Sequence, residues 1–210
     1  MPPSDTLQAL LARFAPLFPA SSPLELKPSA AGFAPHEQRF PGGHAARWFA
    51  ACDGQSGDRP FAHAHALCSL AEAVEAMRIA DDIRAEPYGY WVEAHWLAIA
   101  SDGAGQHFMI DDHDGRVLAV SHDDEHVEVL GGSPEAWLAK LLDDHAQGAV
   151  VWDRTFGLIE KSELEQVREF HREQAERRKL PTKHKLGLAL AVGLAMALMG
   201  LFIWFLESRR

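Results

Sequence analysis

Acidic side chains are concentrated between positions 111 and 128, where seven carboxylates occur within eighteen residues. They are Asp111, Asp112, Asp114, Asp123, Asp124, Glu125 and Glu128, called here the acidic patch. A patch of this kind attracts a basic protein surface and speeds up association, although acidic runs are also common on solvated turns. We expect the patch, together with Tyr88 and Tyr90 beside a Pro-Gly turn, to form a partner-binding surface.

Histidines are the second group of potential ligands, and the chain has twelve of them. His113, His122 and His126 stand among carboxylates, and such nitrogen and oxygen donors bind divalent metals. Their spacing matches no metal motif with a known mechanism. The sequence therefore predicts no metal ligands and no cofactor.

Enzyme motifs are missing from the sequence, which contains no GxGxxG, no Walker A loop, no GxSxG and no HExxH. The neighbouring carboxylates Asp81 and Asp82, like Asp143 and Asp144, are consecutive and point in different directions on a helix or strand. Such pairs do not form an acid and base dyad by themselves. We expect a protein without enzymatic activity.

Charge divides the chain into two parts. Residues 1–150 contain 22 acidic and 9 basic side chains, a net charge of −13, whereas residues 151–210 contain 8 and 11, a net charge of +3. The negative part repels nucleic acid, and the basic part is attracted to an anionic lipid leaflet. Cys52 and Cys68 show no CxxC spacing, which is typical of buried thiols in a reducing compartment.

A hydrophobic stretch bounded by Leu186 and Leu206 lies close to the C-terminus and contains no charged residue. As a helix it spans about 31 Å, which matches the roughly 30 Å hydrocarbon core of a bilayer. Small residues spaced four apart within it are compatible with a weak homodimer. We expect residues 186–206 to be a single transmembrane helix and residues 207–210 a short basic tail.

Basic residues on the two sides of this stretch predict its orientation. Two arginines follow it, and five basic residues precede it: Arg177, Arg178, Lys179, Lys183 and Lys185. Because basic residues are retained on the cytoplasmic side, we expect the N-terminal domain to lie in the cytoplasm of a bacterium, at the inner membrane. The N-terminal residues do not resemble an export signal.

The elements that must position the acidic patch are predicted from hydrophobic period and turn residues. Helices are expected at 6–15, 44–52, 70–84 and 134–145, and short antiparallel strands at 96–100, 107–110, 116–120 and 126–130. Ser69 and Glu72 have capping-box spacing, and Ser133-Pro134 begins the last helix. The expected fold is α+β, with an antiparallel meander sheet of about four to six strands flanked by helices.

The segment between this domain and the hydrophobic stretch is rich in helix formers and mixed charge. We expect residues 1–150 to form the globular domain and residues 151–181 to form a helical juxtamembrane stalk. A thin apolar line containing Leu164, Val167 and Phe170 leaves a second arrangement open, in which the helix packs on the domain.

Short motifs in two parts of the chain are similar to those of one known family. The first part has Phe40-Pro41, Trp48-Phe49 and Asp53-Gly54; the second has Trp96, Ala98 to Asp102, Gly105, Ile110 to Asp112, Gly115, Val117 and Trp137-Leu138. In this order they resemble the SUKH superfamily over roughly residues 5–148. The sequence departs from the family pattern after Trp96, where Leu97-Ala98 replaces a usual proline.

The resemblance implies an α+β binding domain without catalytic activity. Bacterial members of the family mostly act as immunity proteins against polymorphic toxins, and fungal members regulate cell-wall assembly as interaction hubs. It therefore implies that this chain binds and neutralises a cognate toxin, and the negative charge favours a basic toxin such as a nuclease. The alternative is a membrane-anchored interaction scaffold or regulator, which the sequence does not distinguish from an immunity protein.

Overall fold

The structure is a computed structural model that describes residues 4–29, 32–57, 59–86, 92–121 and 127–178. The chain divides into two units, Met1–Ser162 and Glu163–Arg210. The first unit contains all seven strands and four of the five α-helices found in the described residues. It is the globular domain, and it extends past the boundary at residue 150 that the sequence suggested.

Four helices belong to the globular domain: α1 (Ser4–Ala12), α2 (His44–Ala51), α3 (Leu70–Arg84) and α4 (Pro134–Ala146). The predicted capping box is present at α3, where Ser69 accepts a hydrogen bond from the backbone of Glu72 and the Glu72 side chain bonds back. At α4, Ser133 accepts from the backbone of Ala136 and proline occupies the first turn.

Five antiparallel strands form the main sheet, and they lie in sequence order. They are β1 (Ala66–Leu67), β2 (Trp96–Ser101), β3 (Gln106–Asp111), β4 (Val117–Ser121) and β5 (Val127–Gly131). Strands β2 to β5 confirm the predicted meander, and the α+β class with a sheet of four to six strands is correct.

Strand β1 was not predicted, because two residues carry no hydrophobic period. Its outer edge is covered by Gln55, whose side-chain oxygen accepts a hydrogen bond from the backbone of Leu67 at 3.0 Å. The backbone of Gln55 in turn donates to the carbonyl of Leu67 at 3.4 Å. A buried glutamine thus satisfies backbone groups that an exposed sheet edge would leave open.

The prediction of a helical stalk beginning at residue 151 is wrong for its first ten residues. Strands β6 (Val150–Asp153) and β7 (Gly157–Glu160) form a separate antiparallel hairpin there. Val150-Val151-Trp152 favours a strand, and Gly157 supplies a positive φ of 68° that a residue with a side chain adopts at a cost. Val150 and Leu158 are buried in the main core, so the hairpin is part of the domain.

Two hydrophobic clusters stabilise the globular domain. The larger cluster joins α1, α2 and α4 to the sheet, and it contains Trp48 and Trp137 with ring centroids 6.3 Å apart. The smaller cluster contains Val92, Met109, Leu118 and Val120. Burial of aromatic and branched side chains on this scale is the main favourable contribution to folding.

The second unit begins in helix α5 (Lys161–Arg178), which has alternating acidic and basic residues. No helix within the described residues is long and apolar enough to span a membrane. The hydrophobic stretch 186–206, the tail 207–210 and the basic residues Lys179, Lys183 and Lys185 lie outside the described residues. The backbone of Arg177 and Arg178 forms the last turn of α5.

Candidate functional site

Strand β4 lies between two parts of the acidic patch in the sequence. Asp111, Asp112 and Asp114 lie at the turn between β3 and β4, whereas the connection that carries residues 123–125 leaves β4 after Ser121. Ser121 pairs with Gln106 at the other end of β3. The two ends of β3 are about 17 Å apart at 3.4 Å per residue. Asp111, Asp112 and Asp114 therefore lie at one end of β4, and Asp123, Asp124 and Glu125, which follow its other end in the sequence, lie outside the described residues.

Asp112 is a structural residue with no exposed surface. Its Oδ2 accepts hydrogen bonds from the backbone of Gly42 at 2.7 Å and Gly43 at 3.2 Å, and its Oδ1 accepts one from Ala45 at 2.9 Å. These donors surround the start of α2, where backbone N–H groups lack partners within the helix. Asp112 caps α2 from a distant part of the chain and has to be removed from the predicted binding patch.

Asp111 is also buried, with 3% of its surface exposed. Burial alone raises the pKa of its carboxyl group, but a hydrogen bond from the backbone of His113, one from Arg116 and the nearby His95 outweigh burial and lower that pKa. Nη2 of Arg116 lies 3.1 Å from Oδ2 of Asp111. The carboxylate is ionised and held in place, and it is not an accessible contact for a partner.

Asp114 is exposed, but its charge is compensated locally. Its Oδ2 lies 2.7 Å from Nε of Arg116, and its Oδ1 accepts a hydrogen bond from the Arg116 backbone at 3.0 Å. The same guanidinium thus contacts both Asp111 and Asp114. This end of the sheet carries less free negative charge than the sequence suggests.

Two imidazole rings lie beside Asp111. The rings of His95 and His113 stack with centroids 3.7 Å apart and an angle of 11° between their planes. Nε2 of His95 is 3.4 Å from Oδ1 of Asp111. One ligand atom from each of the three residues lies within 4.8 Å of the others, so the group has the composition of a metal site. The sequence reasoning considered His113 but missed His95, which no motif spacing connects to the turn.

Strand β5 is one of the two edge strands of the main sheet. Glu128 on this strand is exposed, and no ion pair joins it to any residue that the structure describes. Its neighbour Val129 is 53% exposed. The remaining predicted contacts Asp123, Asp124, Glu125, Tyr88 and Tyr90 lie outside the described residues.

A groove of about 540 Å³ lies beside β1 and the start of α3. Lys27, Glu72 and Asp102 line it together with Cys68. Burial raises the pKa of the Cys68 thiol to about 12, which keeps the sulfur protonated and unreactive. The groove is a recess of mixed charge, and its cysteine is not an activated nucleophile.

Comparison with models of known protein families gives no match for the chain. Comparison with curated proteins gives no match either.

Proposed function

We propose that this chain is a SUKH-like immunity protein that binds and neutralises a cognate protein toxin, and that it is tethered to the bacterial inner membrane. The partner is a basic toxin, and a nuclease has the required surface charge. The chain acts by stoichiometric binding and not by catalysis. The chain binds neither a nucleic acid nor a cofactor.

The observation that carries the proposal is the contact between the two sets of family-like motifs. Asp112, from the later set, caps the helix that contains Trp48, from the earlier set. Asp53 accepts a hydrogen bond from the backbone of Leu70 at 2.7 Å, where it helps to begin α3. The resembling residues thus hold one domain together, which is what a shared fold requires of short motifs separated in sequence.

Charge supports a basic partner and indicates where it binds. Several acids elsewhere in the domain are neutralised by ion pairs, including Asp81 with Arg39 and Arg84. Glu128 is exposed on the edge strand β5, and no ion pair joins it to any residue that the structure describes. We therefore assign the toxin contact to Glu128 together with Asp123, Asp124 and Glu125.

The test of this assignment is the association rate between the full-length chain and a candidate toxin encoded beside it. The triple variant Asp123→Asn, Asp124→Asn, Glu125→Gln should reduce the association rate about tenfold at low salt, because steering by charge is lost. The matched control removes the same charge from three other exposed positions, with Glu25→Gln, Glu37→Gln and Glu86→Gln. Equal effects of the two triple variants would contradict the assigned surface.

Membrane tethering by residues 186–206 is the second part of the proposal. Its support is the length of the uncharged stretch and the excess of basic residues before it. The full-length chain should stay with the membrane after alkaline extraction, and a chain ending at residue 185 should be released. If the chain ending at residue 185 still protects cells from the toxin, membrane location is not part of the mechanism. If this shortened chain binds the toxin without protecting cells, membrane location is essential.

The scaffold alternative predicts a different set of partners. If the chain is an immunity protein, an affinity pulldown with the full-length chain as bait should recover one toxin. If the chain is a scaffold, the same pulldown should recover several unrelated proteins, and their binding should not depend on the charge of residues 123–128.

A further inference from the structure

We propose that His95, Asp111 and His113 form a binding site for one divalent transition metal ion of the Zn²⁺ class. The site lies where β2 begins and β3 ends, and it does not depend on the proposed binding of a toxin. Its three side chains offer two imidazole nitrogens and one carboxylate oxygen, with one ligand atom of each within 4.8 Å of the others.

Backbone hydrogen bonds join the segments that carry His95, Asp111 and His113. Trp96, which follows His95, pairs with Asp111 in the β2–β3 ladder. The backbone of Asp112 donates a hydrogen bond to the carbonyl of His95 at 3.1 Å, and the backbone of Gly115 donates to the carbonyl of Asp111 at 2.8 Å. Asp112 is itself fixed to the start of α2. The segments that carry the three ligands therefore have a defined separation before any ion binds.

The donor set determines the class of ion. Imidazole nitrogens with one carboxylate suit Zn²⁺ and its neighbours, whereas Ca²⁺ and Mg²⁺ prefer sites made of oxygen alone. Three protein ligands leave a fourth position for water or for a group from another molecule. His113 is exposed and His95 is half-buried, so solvent reaches the imidazole side of the group.

Binding requires one side chain to move. Ligands of a tetrahedral Zn²⁺ site at roughly 2.0 to 2.2 Å from the ion lie about 3.4 Å apart. Nε2 of His95 and Oδ1 of Asp111 already have this separation, so the nitrogen of His113 is the atom that must approach. Stacked rings direct their nitrogen lone pairs along parallel planes, so both cannot point at one ion. The exposed His113 ring has room to rotate out of the stack, while the half-buried His95 and the buried Asp111 stay in place.

Arg116 shapes the site without occupying it. Its guanidinium contacts Oδ2 of Asp111 at 3.1 Å, whereas His95 lies 3.4 Å from Oδ1 of the same carboxylate. The oxygen that faces the imidazoles is therefore distinct from the oxygen that Arg116 holds. Hydrogen bonding of a ligating carboxylate by a neighbour is a usual feature of metal sites, because it fixes the orientation of the ligand.

The experiment is a titration of the full-length chain, purified without a histidine tag and freed of metal, with ZnCl₂ in a calorimeter. A parallel titration with CoCl₂ records visible absorption, since cobalt in a tetrahedral site absorbs far more strongly than the hydrated ion. We expect one ion per chain in both titrations. His113→Asn and His95→Asn should each weaken binding about tenfold or more and remove the cobalt bands.

Controls separate this site from the other histidines of the chain. His171→Asn removes an exposed imidazole on α5 and should leave affinity and stoichiometry unchanged. His113→Asn changes an exposed side chain, so circular dichroism should confirm that this variant folds even if Asp111→Asn does not. Failure of the wild-type chain to bind one ion, or binding by the His95 and His113 variants that is as tight as that of the wild type, would overturn the proposal.

Discussion

The carboxylate of Asp112, directly after strand β3, accepts a hydrogen bond from the backbone N–H of Ala45 in helix α2 at 2.9 Å. The two residues are 67 positions apart in the chain. The N-cap residue of α2 is Gly43, which has no side chain to cap the helix. Helix α2 is capped instead by a side chain from the turn after β3. This one contact connects the helix layer to the turn at which the meander reverses.

Replacing Asp112 should therefore destabilise the whole domain. Asp112→Asn keeps the size of the side chain but places an amide group where backbone N–H donors need an acceptor. We expect the free energy of unfolding to fall by about 2 kcal/mol, which a denaturant titration measures. Asp114→Asn, at the exposed position two residues later, is the control and should change stability by less than about 0.5 kcal/mol.

The two glycines that contact Asp112 should tolerate alanine to different degrees. A Cβ at Gly42 would lie 1.6 Å from the backbone oxygen of Asp112, whereas a Cβ at Gly43 would meet no atom within 4 Å. Gly42→Ala should therefore cost at least about 3 kcal/mol through steric overlap. Gly43→Ala should cost about 1 kcal/mol, because only its positive φ of 72° is strained. Similar melting temperatures for the two variants would refute this packing.

Sequence reasoning succeeded where the signal is local. The Ser69 and Glu72 pair defined the start of α3, and the predicted helix 70–84 has the observed bounds Leu70–Arg84. The turn residues between apolar runs likewise identified β2 to β5. These signals depend on side chains interacting with nearby backbone, which is visible in a short window of sequence.

Long-range features were not predictable in the same way. Ala66-Leu67 is too short to show the period of a strand. The hairpin at Val150–Glu160 adjoins a charged helical segment, and the sequence was therefore assigned to one helix from residue 151 onward. Spacing placed the seven acids together, but the burial of Asp111 and Asp112 depends on their contacts with distant residues. The contact of His95 with Asp111 follows from the register of β2 and β3, in which the next residue, Trp96, pairs with Asp111. This register depends on tertiary structure.

Stability should depend on pH through His65. Its imidazole is buried and stacks on Phe108 at 4.0 Å, and Nδ1 donates a hydrogen bond to the carbonyl of His63 at 2.6 Å. Burial lowers the pKa of His65 below its ordinary value of 6.5. Between the folded-state pKa and 6.5 the unfolded chain binds more protons than the folded protein, so stability is lost as pH falls through this range.

The measurement is the free energy of unfolding from about pH 7.5 down to about pH 5, for wild type and for His65→Gln. The variant should be less stable at neutral pH and should lose less stability on acidification. Parallel profiles for the two proteins would show that His65 is not the group responsible.

Both cysteine thiols should be unreactive in the folded protein. Cys52 and Cys68 are buried and form no disulfide, and burial raises their pKa values to about 11 and about 12. Because the thiolate is the nucleophile, we expect iodoacetamide at mildly alkaline pH to label neither residue in the native state. In denaturant both should react. Rapid labelling of the native protein at either position would contradict the described burial.

The central claim is that this chain neutralises a toxin by binding it. The most direct measurement is survival of cells that express the toxin-like protein encoded next to this chain, with and without the full-length chain, together with calorimetry of the two purified proteins. We predict protection and a complex of one chain per toxin. A toxin that kills equally in both strains, and that shows no binding heat, would contradict the account.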